Sequence, residues 1–285
     1  MARTAGATSS AEKVLDALFA FSIARPRLSA SEVAETTGMN RSTAHRMLQL
    51  LEAKHLVHRR LGDTSQYEVT ARVLQLSEVV LHQLDDLRSI ALSHLTQLRD
   101  RTGETAALHV RQGGARVGVT QVESRHQLRR TYSDLGQRVP LYLGAPSLAM
   151  LAFLTGEQIE RNLPSSDEEW PHIGVPDREA MLARLVEIRT GGYAVSKAHR
   201  LAGIVSIAAP IFNRFNDVIA SINVTGPEAR FDPDSVETMA KAVTEAASDL
   251  SRRMGQVTPS QNPPSTQGVS TTHHINSQRS DIDDE

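Results

Sequence analysis

The segment SASEVAETTGMNRSTAHRMLQLLEAKHLV, residues 29–57, decides the fold of the first part of this chain. Ser29 and Glu32 have the S-x-x-E spacing of a capping box, which predicts that a helix begins there. Gly38 suits the tight turn that ends such a helix, and Asn40 can cap a second one. The second helix has an apolar stripe at the i, i+3, i+4, i+7 spacing of a buried face, formed by Ala44, Met47, Leu48 and Leu51.

The flanking sequence completes a winged helix-turn-helix. An amphipathic helix is predicted from about Ser10 to Ala24, and Pro26 is expected to stop it. After the quoted segment, LVHRRLGDTSQYEVT (residues 56–70) predicts two short strands around a Gly-Asp turn. Three helices followed by such a hairpin are typical of proteins that place a helix in the DNA major groove.

The polar side of the second quoted helix carries residue types that read DNA. Arginine can contact guanine, glutamine can contact adenine, and serine or threonine can bond bases or phosphates. A helix N-terminus attracts phosphate, and the arginines of the hairpin could clamp the backbone. The ordinary alternative is a helical hairpin with a solvated polar face. The candidate DNA-binding residues are Ser29, Arg41, Ser42, Thr43, His45, Arg46, Gln49, Arg59 and Arg60.

Composition agrees with this interpretation only locally. The 285 residues predict about two domains, and the formal net charge is −2. Residues 1–72 hold ten Lys and Arg against seven Asp and Glu, so the positive surplus lies where a phosphate-binding surface needs it. So small a surplus predicts weak DNA binding by one copy and a need for dimerisation.

Several classes of site are excluded or disfavoured. The absence of cysteine excludes disulfides, thiolate zinc sites and a cysteine nucleophile. No signal peptide is recognisable in residues 1–10, and no stretch approaches 18 apolar residues. We therefore expect a cytoplasmic protein without membrane association.

The rest of the chain predicts a second, α+β domain. Helical periodicity runs from Val73 to about Asp100, and residues 104–124 predict a hairpin that turns at Gly113-Gly114. Further helices are expected near residues 145–155, 156–162, 177–190 and 233–254, and strands near 193–197, 204–212 and 218–225. Hairpins interleaved with helices favour a mainly antiparallel sheet. The predicted division is a DNA-binding domain over 1–72 (ordered over 10–70), a linker helix over 73–88, an effector-binding domain over 89–255 and a disordered tail over 256–285.

Three blocks of sequence resemble one family. The quoted segment is similar to the winged helix-turn-helix of the IclR family of bacterial transcription regulators. LGQRVPLYLGAPSLAMLA (135–152) resembles that family's stretch LG-x-x-x-PLH-x-TA-x-GKALLA, and GGYAVSKAHRLAGIVSIAAPIFNRFNDVIASINVTGP (191–227) resembles its C-terminal signature. The likeness covers about residues 10–254, in order.

The resemblance implies a GAF-like domain that binds a small-molecule effector. The effector contacts that it implies are Tyr142, Gly144, Ala145, Ile204, Ser206, Asn223 and Thr225. Ser206, Asn223 and Thr225 are hydrogen-bonding residues within otherwise apolar strands, where a buried polar group needs a partner. That partner can be a ligand or neighbouring backbone, and both readings stay open.

Departures from the family pattern bear on the effector. The family's His is Tyr142 here, its Thr is Gly144, its Gly is Ser147, its Lys is Leu148, and its frequent Glu is His199. A more apolar entrance with extra room favours an aromatic or larger amphipathic effector over a small oxyacid.

The resemblance also implies partners and a mode of action. Family members pair through the winged-helix region and can associate further through their effector domains, which predicts a homodimer or a tetramer built as a dimer of dimers. Two recognition helices would then read a palindromic operator in double-stranded DNA. The expected function is that of a ligand-responsive repressor of a catabolic operon.

The alternatives have less support. An enzyme is disfavoured because the histidines have no HExxH or H-x-H spacing and Ser147 lies in no G-x-S-x-G elbow. A metal-sensing regulator would rest on His273-His274, in the polar tail. A DNA-binding regulator that needs no ligand, including an architectural DNA-binder, would leave the large second domain unexplained. We therefore expect no enzymatic activity, no cofactor and no bound metal.

Overall fold

The protein was analysed as a computed structural model. The structure describes residues 9–60, 62–132, 135–164, 170, 177–197 and 202–256. The predicted disordered tail therefore lies, beyond Gln256, outside the described residues, as do His199 and the His273-His274 pair.

The N-terminal domain contains three helices and a three-stranded sheet. Its elements are α1 (Ser10–Phe19), β1 (Arg27–Ser29), α2 (Ala30–Thr37), α3 (Arg41–Ala53), β2 (Val57–Arg60) and β3 (Asp63–Val69). The expected extension of α1 to Ala24 is wrong. A turn closed by two backbone hydrogen bonds between Ser22 and Arg25 redirects the chain toward β1 instead.

The predicted helix boundaries around the central turn are confirmed. Ser29 and Glu32 form the reciprocal bonds of a capping box at the start of α2, and Gly38 ends that helix at φ +72°. Asn40 accepts a hydrogen bond from the Thr43 N–H, 2.8 Å away, and so caps α3. All four residues of the predicted stripe are buried in the domain core: Ala44, Met47, Leu48 and Leu51.

The hairpin forms the predicted wing. Strands β2 and β3 pair antiparallel, with Arg59 opposite Tyr67. The sequence analysis missed β1, which pairs with the other edge of β3 and places Leu28 opposite Tyr67. Tyr67 is thus the centre of a three-stranded sheet, and its side chain is buried against the helices.

One helix connects the two domains. A short 3₁₀ turn (Ala71–Val73) leads into α4 (Leu74–Thr102), which has 29 residues. Leu74 and Leu76 at its start are exposed, whereas Leu95 and Leu98 near its end are buried in the core of the second domain. The predicted linker over 73–88 and the start of the effector-binding domain are therefore parts of a continuous helix.

The second domain is a sheet between two helical layers. Its strands are β4 (Thr105–Gln112), β5 (Ala115–Val122), β6 (Arg138–Pro140), β7 (Ala194–Lys197), β8 (Ile204–Phe212) and β9 (Val218–Pro227). They pair antiparallel in the order β6-β5-β4-β9-β8-β7, which confirms the expected sheet and adds β6. Its helices after α4 are α5 (Ala145–Leu151), α6 (Gly156–Asn162), α7 (Arg178–Gly191) and α8 (Pro233–Arg253).

The two faces of the sheet differ in polarity. Helices α4 and α8 cover an apolar face, where Ile222 and Val224 of β9 are buried. Because side chains alternate along a strand, Ser221, Asn223 and Thr225 lie on the opposite face, on the side of α5 and α7. Strand β9 is therefore buried on both faces but polar on one of them. The polar face is the candidate location for a binding site.

Candidate functional site

The recognition helix α3 presents a polar face to solvent. Of the six residues predicted there, Arg41, Ser42, His45, Arg46 and Gln49 are exposed, and Thr43 is half-buried. The exposed and buried residues alternate with the helical period, because the apolar stripe holds the opposite face against α1 and α2. This face has the width and chemistry to enter a DNA major groove.

The three remaining DNA candidates already have partners within the domain. The Ser29 hydroxyl serves the capping box of α2. The guanidinium of Arg59 lies 3.5 Å from the Glu52 carboxylate, and that of Arg60 lies 3.7 Å from Glu68. Both wing arginines pair at distances typical of surface ion pairs, which are weak and exchange readily for other anions.

A small, partly open cavity lies between the start of α5 and the polar face of the sheet. Its volume is about 50 Å³. The lining residues come from β5, the segment before β6, α5, β7, β8 and β9: Arg116, Arg130, Tyr132, Gly144, Ala145, Pro146, Ser196, Ile204, Ser206 and Thr225. None of these described lining residues is acidic, whereas two are arginines.

The structure brings most of the predicted effector residues to this cavity. Five of the seven line it: Gly144, Ala145, Ile204, Ser206 and Thr225. Gly144 caps α5 at φ +84°, so glycine is favoured there by the backbone conformation, although a Cβ would meet no atom within 4 Å. Asn223 lies behind the lining, and Tyr142 packs against the apolar cluster around α5. Whether these residues contact an effector stays a prediction.

Asn223 is the centre of a buried hydrogen-bond network. Its amide nitrogen lies 3.0 Å from both the Tyr132 hydroxyl and Ser206 Oγ, and its Oδ1 lies 3.1 Å from His109 Nε2. Arg116 donates to His109 Nδ1 over 2.9 Å. Because a guanidinium can only donate, the histidine proton is on Nε2 and points at Asn223.

This network fixes which groups face the cavity as donors. Tyr132 accepts from Asn223, so its own O–H proton remains available to donate elsewhere. The Ser206 hydroxyl instead donates to the Val224 carbonyl, 3.3 Å away. Arg130 stacks on the Tyr132 ring, with its guanidinium carbon 4.9 Å from the ring centre. Guanidinium groups and a phenol proton suit an oxygen-rich anion.

Sequence reasoning missed Arg116, Arg130 and Tyr132. A signal existed for Arg116, because an arginine within the apolar hairpin strand β5 needs a buried partner. No local pattern marks Arg130 or Tyr132, which lie in a segment without regular secondary structure.

Metal sites and membrane-spanning helices are both absent from the described residues. There, no three His, Asp or Glu side chains lie close enough together to hold a metal ion. None of the helices in this part of the chain combines the length and the apolar character that crossing a membrane requires.

Comparisons with known proteins agree with this architecture. The family model of the IclR helix-turn-helix domain matches residues 10–61, and that of the bacterial transcriptional regulator IclR C-terminal domain matches residues 79–252. The chain is 32% identical over 234 residues to the HTH-type transcriptional regulator KipR of Bacillus subtilis, a match that spans 81% of this chain and 91% of KipR.

Two further likenesses extend over most of the chain. The HTH-type transcriptional repressor AllR of Escherichia coli is 26% identical over 228 residues, which are 80% of this chain and 83% of AllR. The crystal structure of the Thermotoga maritima IclR superposes with a TM-score of 0.67 at 26% identity, covering 86% of this chain and 98% of that one.

Proposed function

Because this chain belongs to the IclR family of bacterial transcriptional regulators, we propose that it is a repressor of a catabolic operon, released from its operator by a small organic anion bound in the second domain. The name of the similar AllR, a transcriptional repressor, supports the sign of regulation. A protein of this kind acts on chromosomal DNA in the cytoplasm.

The observation that carries the effector class is the lining of the cavity. Arg116 is only 3% exposed and lines the cavity, where a guanidinium can donate to an anion. Arg130 and the Tyr132 proton add two more donors on the same wall. A carboxylate or another oxyanion matches this set, as bidentate arginine recognition is geometrically specific.

Two arguments about effector size point in different directions. The apolar substitutions near the entrance favour an aromatic or larger amphipathic acid. The volume of about 50 Å³ suits a two- or three-carbon acid, since typical ligand pockets hold roughly 300 Å³ or more. An aromatic acid would need the cavity to widen on binding.

The assembly that we propose is a homodimer, with a dimer of dimers as its extension. Large apolar side chains are exposed in the N-terminal domain and at the start of α4, and exposed apolar surface marks interfaces. They are Leu15, Phe19, Ile23, Leu74, Leu76 and Val79. Two recognition helices related by a twofold axis would read a palindromic operator. A footprint without dyad symmetry would contradict this arrangement.

The decisive experiment is a mobility-shift assay on the intergenic DNA upstream of the gene. Aromatic carboxylates and two- or three-carbon oxyacids are titrated separately, and one class should release the DNA. The variant Arg130→Gln should lose this response while it keeps DNA binding. The matched control is Arg129→Gln, because Arg129 is paired with Glu123 and does not line the cavity. An unchanged response in Arg130→Gln would refute the role of the cavity.

A further inference from the structure

Tyr67 is an unusual residue in the core of the winged domain. Its side chain is only 2% exposed, yet no acceptor for its buried hydroxyl proton is present in the part of the chain that the structure describes, because the neighbouring Arg59 guanidinium can only donate. Burial raises the pKa of this phenol, so it remains a neutral donor near neutral pH. A buried donor without an acceptor is costly, by about 1–3 kcal/mol, and therefore indicates an acceptor that is missing from the isolated protein.

The Tyr67 side chain lines a groove between the wing and both helices of the helix-turn-helix. One wall is the start of α2, with Ser29, Ala30 and Ser31. Arg41 of α3 and Arg59 of the wing line the other walls. The capping box uses the N–H groups of Ser29 and Glu32 and leaves those of Ala30 and Ser31 outside it. Backbone N–H groups at a helix start are a common phosphate site.

The charges around the groove favour an anion. The guanidinium carbon of Arg59 lies 5.3 Å from the centre of the Tyr67 ring, and Arg41 is exposed at the start of α3. The nearest acid on α2, Glu32, does not line the groove, because its carboxylate is held by Ser29 and Gln66. The ion pair of Arg59 with Glu52 spans 3.5 Å at the protein surface, and such pairs are weak enough for the guanidinium to turn toward a second anion.

We propose that this groove binds one phosphate of the DNA backbone, with the Tyr67 hydroxyl and the Arg59 guanidinium as donors and the first turn of α2 facing it. Rotation of Arg59 toward the phosphate uncovers the hydroxyl, which then gains the acceptor that the free protein lacks. The site rests on the proposed DNA-binding function and adds to it a backbone contact that holds the domain in one position on the DNA. It sets the position of α3 in the groove without reading any base.

The test compares full-length wild type with Tyr67→Phe on two duplexes, the upstream intergenic DNA and an unrelated sequence of equal length. Fluorescence anisotropy should show binding weaker by about three- to tenfold on both, because a bond to a charged phosphate is lost irrespective of sequence. The melting temperature should stay the same or rise, since the variant removes a buried hydroxyl proton that has no acceptor. Tyr193→Phe, in the second domain, is the matched control and should bind as wild type does.

A salt series separates the two donors. The slope of log K against log salt should be unchanged in Tyr67→Phe, because no charge is lost. In Arg59→Gln it should become shallower by about 0.9, the value for one phosphate contact.

The outcomes separate this site from the function that it rests on. If Tyr67→Phe binds both duplexes as tightly as wild type while Arg46→Ala binds them more weakly, the chain is a DNA-binding protein and the phosphate site is refuted. If wild type binds neither duplex, the proposed function fails and the site fails with it. Weakening by Tyr67→Phe on the intergenic duplex alone would also overturn the proposal, because a backbone contact is independent of sequence.

Discussion

Replacing Asn223 with alanine should destabilise the second domain well beyond the loss of one side chain. Asn223 is fully buried, and its amide forms three hydrogen bonds that join β4, β8 and the segment containing Tyr132. Alanine breaks all three and removes Asn223 Oδ1, the acceptor of the Nε2 proton of His109, which is also fully buried. Each of the three lost bonds costs about 0.5–1.5 kcal/mol and one unmet buried group about 1–3 kcal/mol, so the expected loss of unfolding free energy is about 2.5–7.5 kcal/mol.

The chain provides its own reporter for this measurement. Trp170 is its single tryptophan, is 2% exposed, and belongs to the apolar cluster around α5 and α7. Its fluorescence during a urea titration of the full-length protein therefore follows unfolding of the second domain. Ser221→Ala is the control, because Ser221 is equally buried on β9 but makes one bond, 2.9 Å to the Pro146 carbonyl. It should cost about 1 kcal/mol.

Two results would refute this reasoning. The first is a loss in Asn223→Ala no larger than the loss in Ser221→Ala, which would mean that the network is not formed in solution. The second concerns the double variant with His109→Leu. There the effect of Asn223→Ala should shrink, because the orphaned proton is gone, and strictly additive losses would show that the two residues are not coupled.

Three further predictions concern pH and helix ends. Hydrogen bonds from His94 and Arg253 hold the pKa of Asp249 below its usual range, so its carboxylate stabilises the fold above about pH 4 and this stability is lost as pH falls through the lower folded-state pKa. In urea titrations wild type should therefore lose more stability on acidification than Asp249→Asn, and parallel curves would contradict this. Asn40→Ala should speed amide exchange in the first turn of α3 and cost about 1 kcal/mol. The separate variant Gly38→Ala should lower the free energy of unfolding by about 1 kcal/mol, measured by thermal unfolding. The cause is the φ of +72° alone, since a Cβ there meets no atom within 4 Å.

The sequence predicted correctly those features that depend on interactions between residues close together in the chain. The capping box of Ser29 with Glu32, the left-handed turn at Gly38 and the cap at Asn40 each act within four residues, and all three are present as predicted. The end of α1 was misplaced because Pro26 marks only the last residue at which a helix could stop. The turn that stops it earlier depends on hydrogen bonds between Ser22 and Arg25.

The candidate sites show the same division. Residue type and helical period were enough to find the outward face of α3, because burial of one stripe decides the orientation of the whole helix. The wing arginines were identified, but their ion pairs with Glu52 and Glu68 were not, since strand register sets those contacts.

By itself, the sequence determined the winged helix-turn-helix, the order of the helices and of the strands other than β1 and β6, and the polar positions of β8 and β9. Only the tertiary structure decided that Arg116, Arg130 and Tyr132 share a cavity with Gly144, and that Tyr67 is buried beside Arg59 with no acceptor for its hydroxyl proton. The reason is physical. Helix and turn signals act over a few residues, whereas the bond between His109 and Asn223 spans 114 positions and forms only once β4 and β9 pair in register.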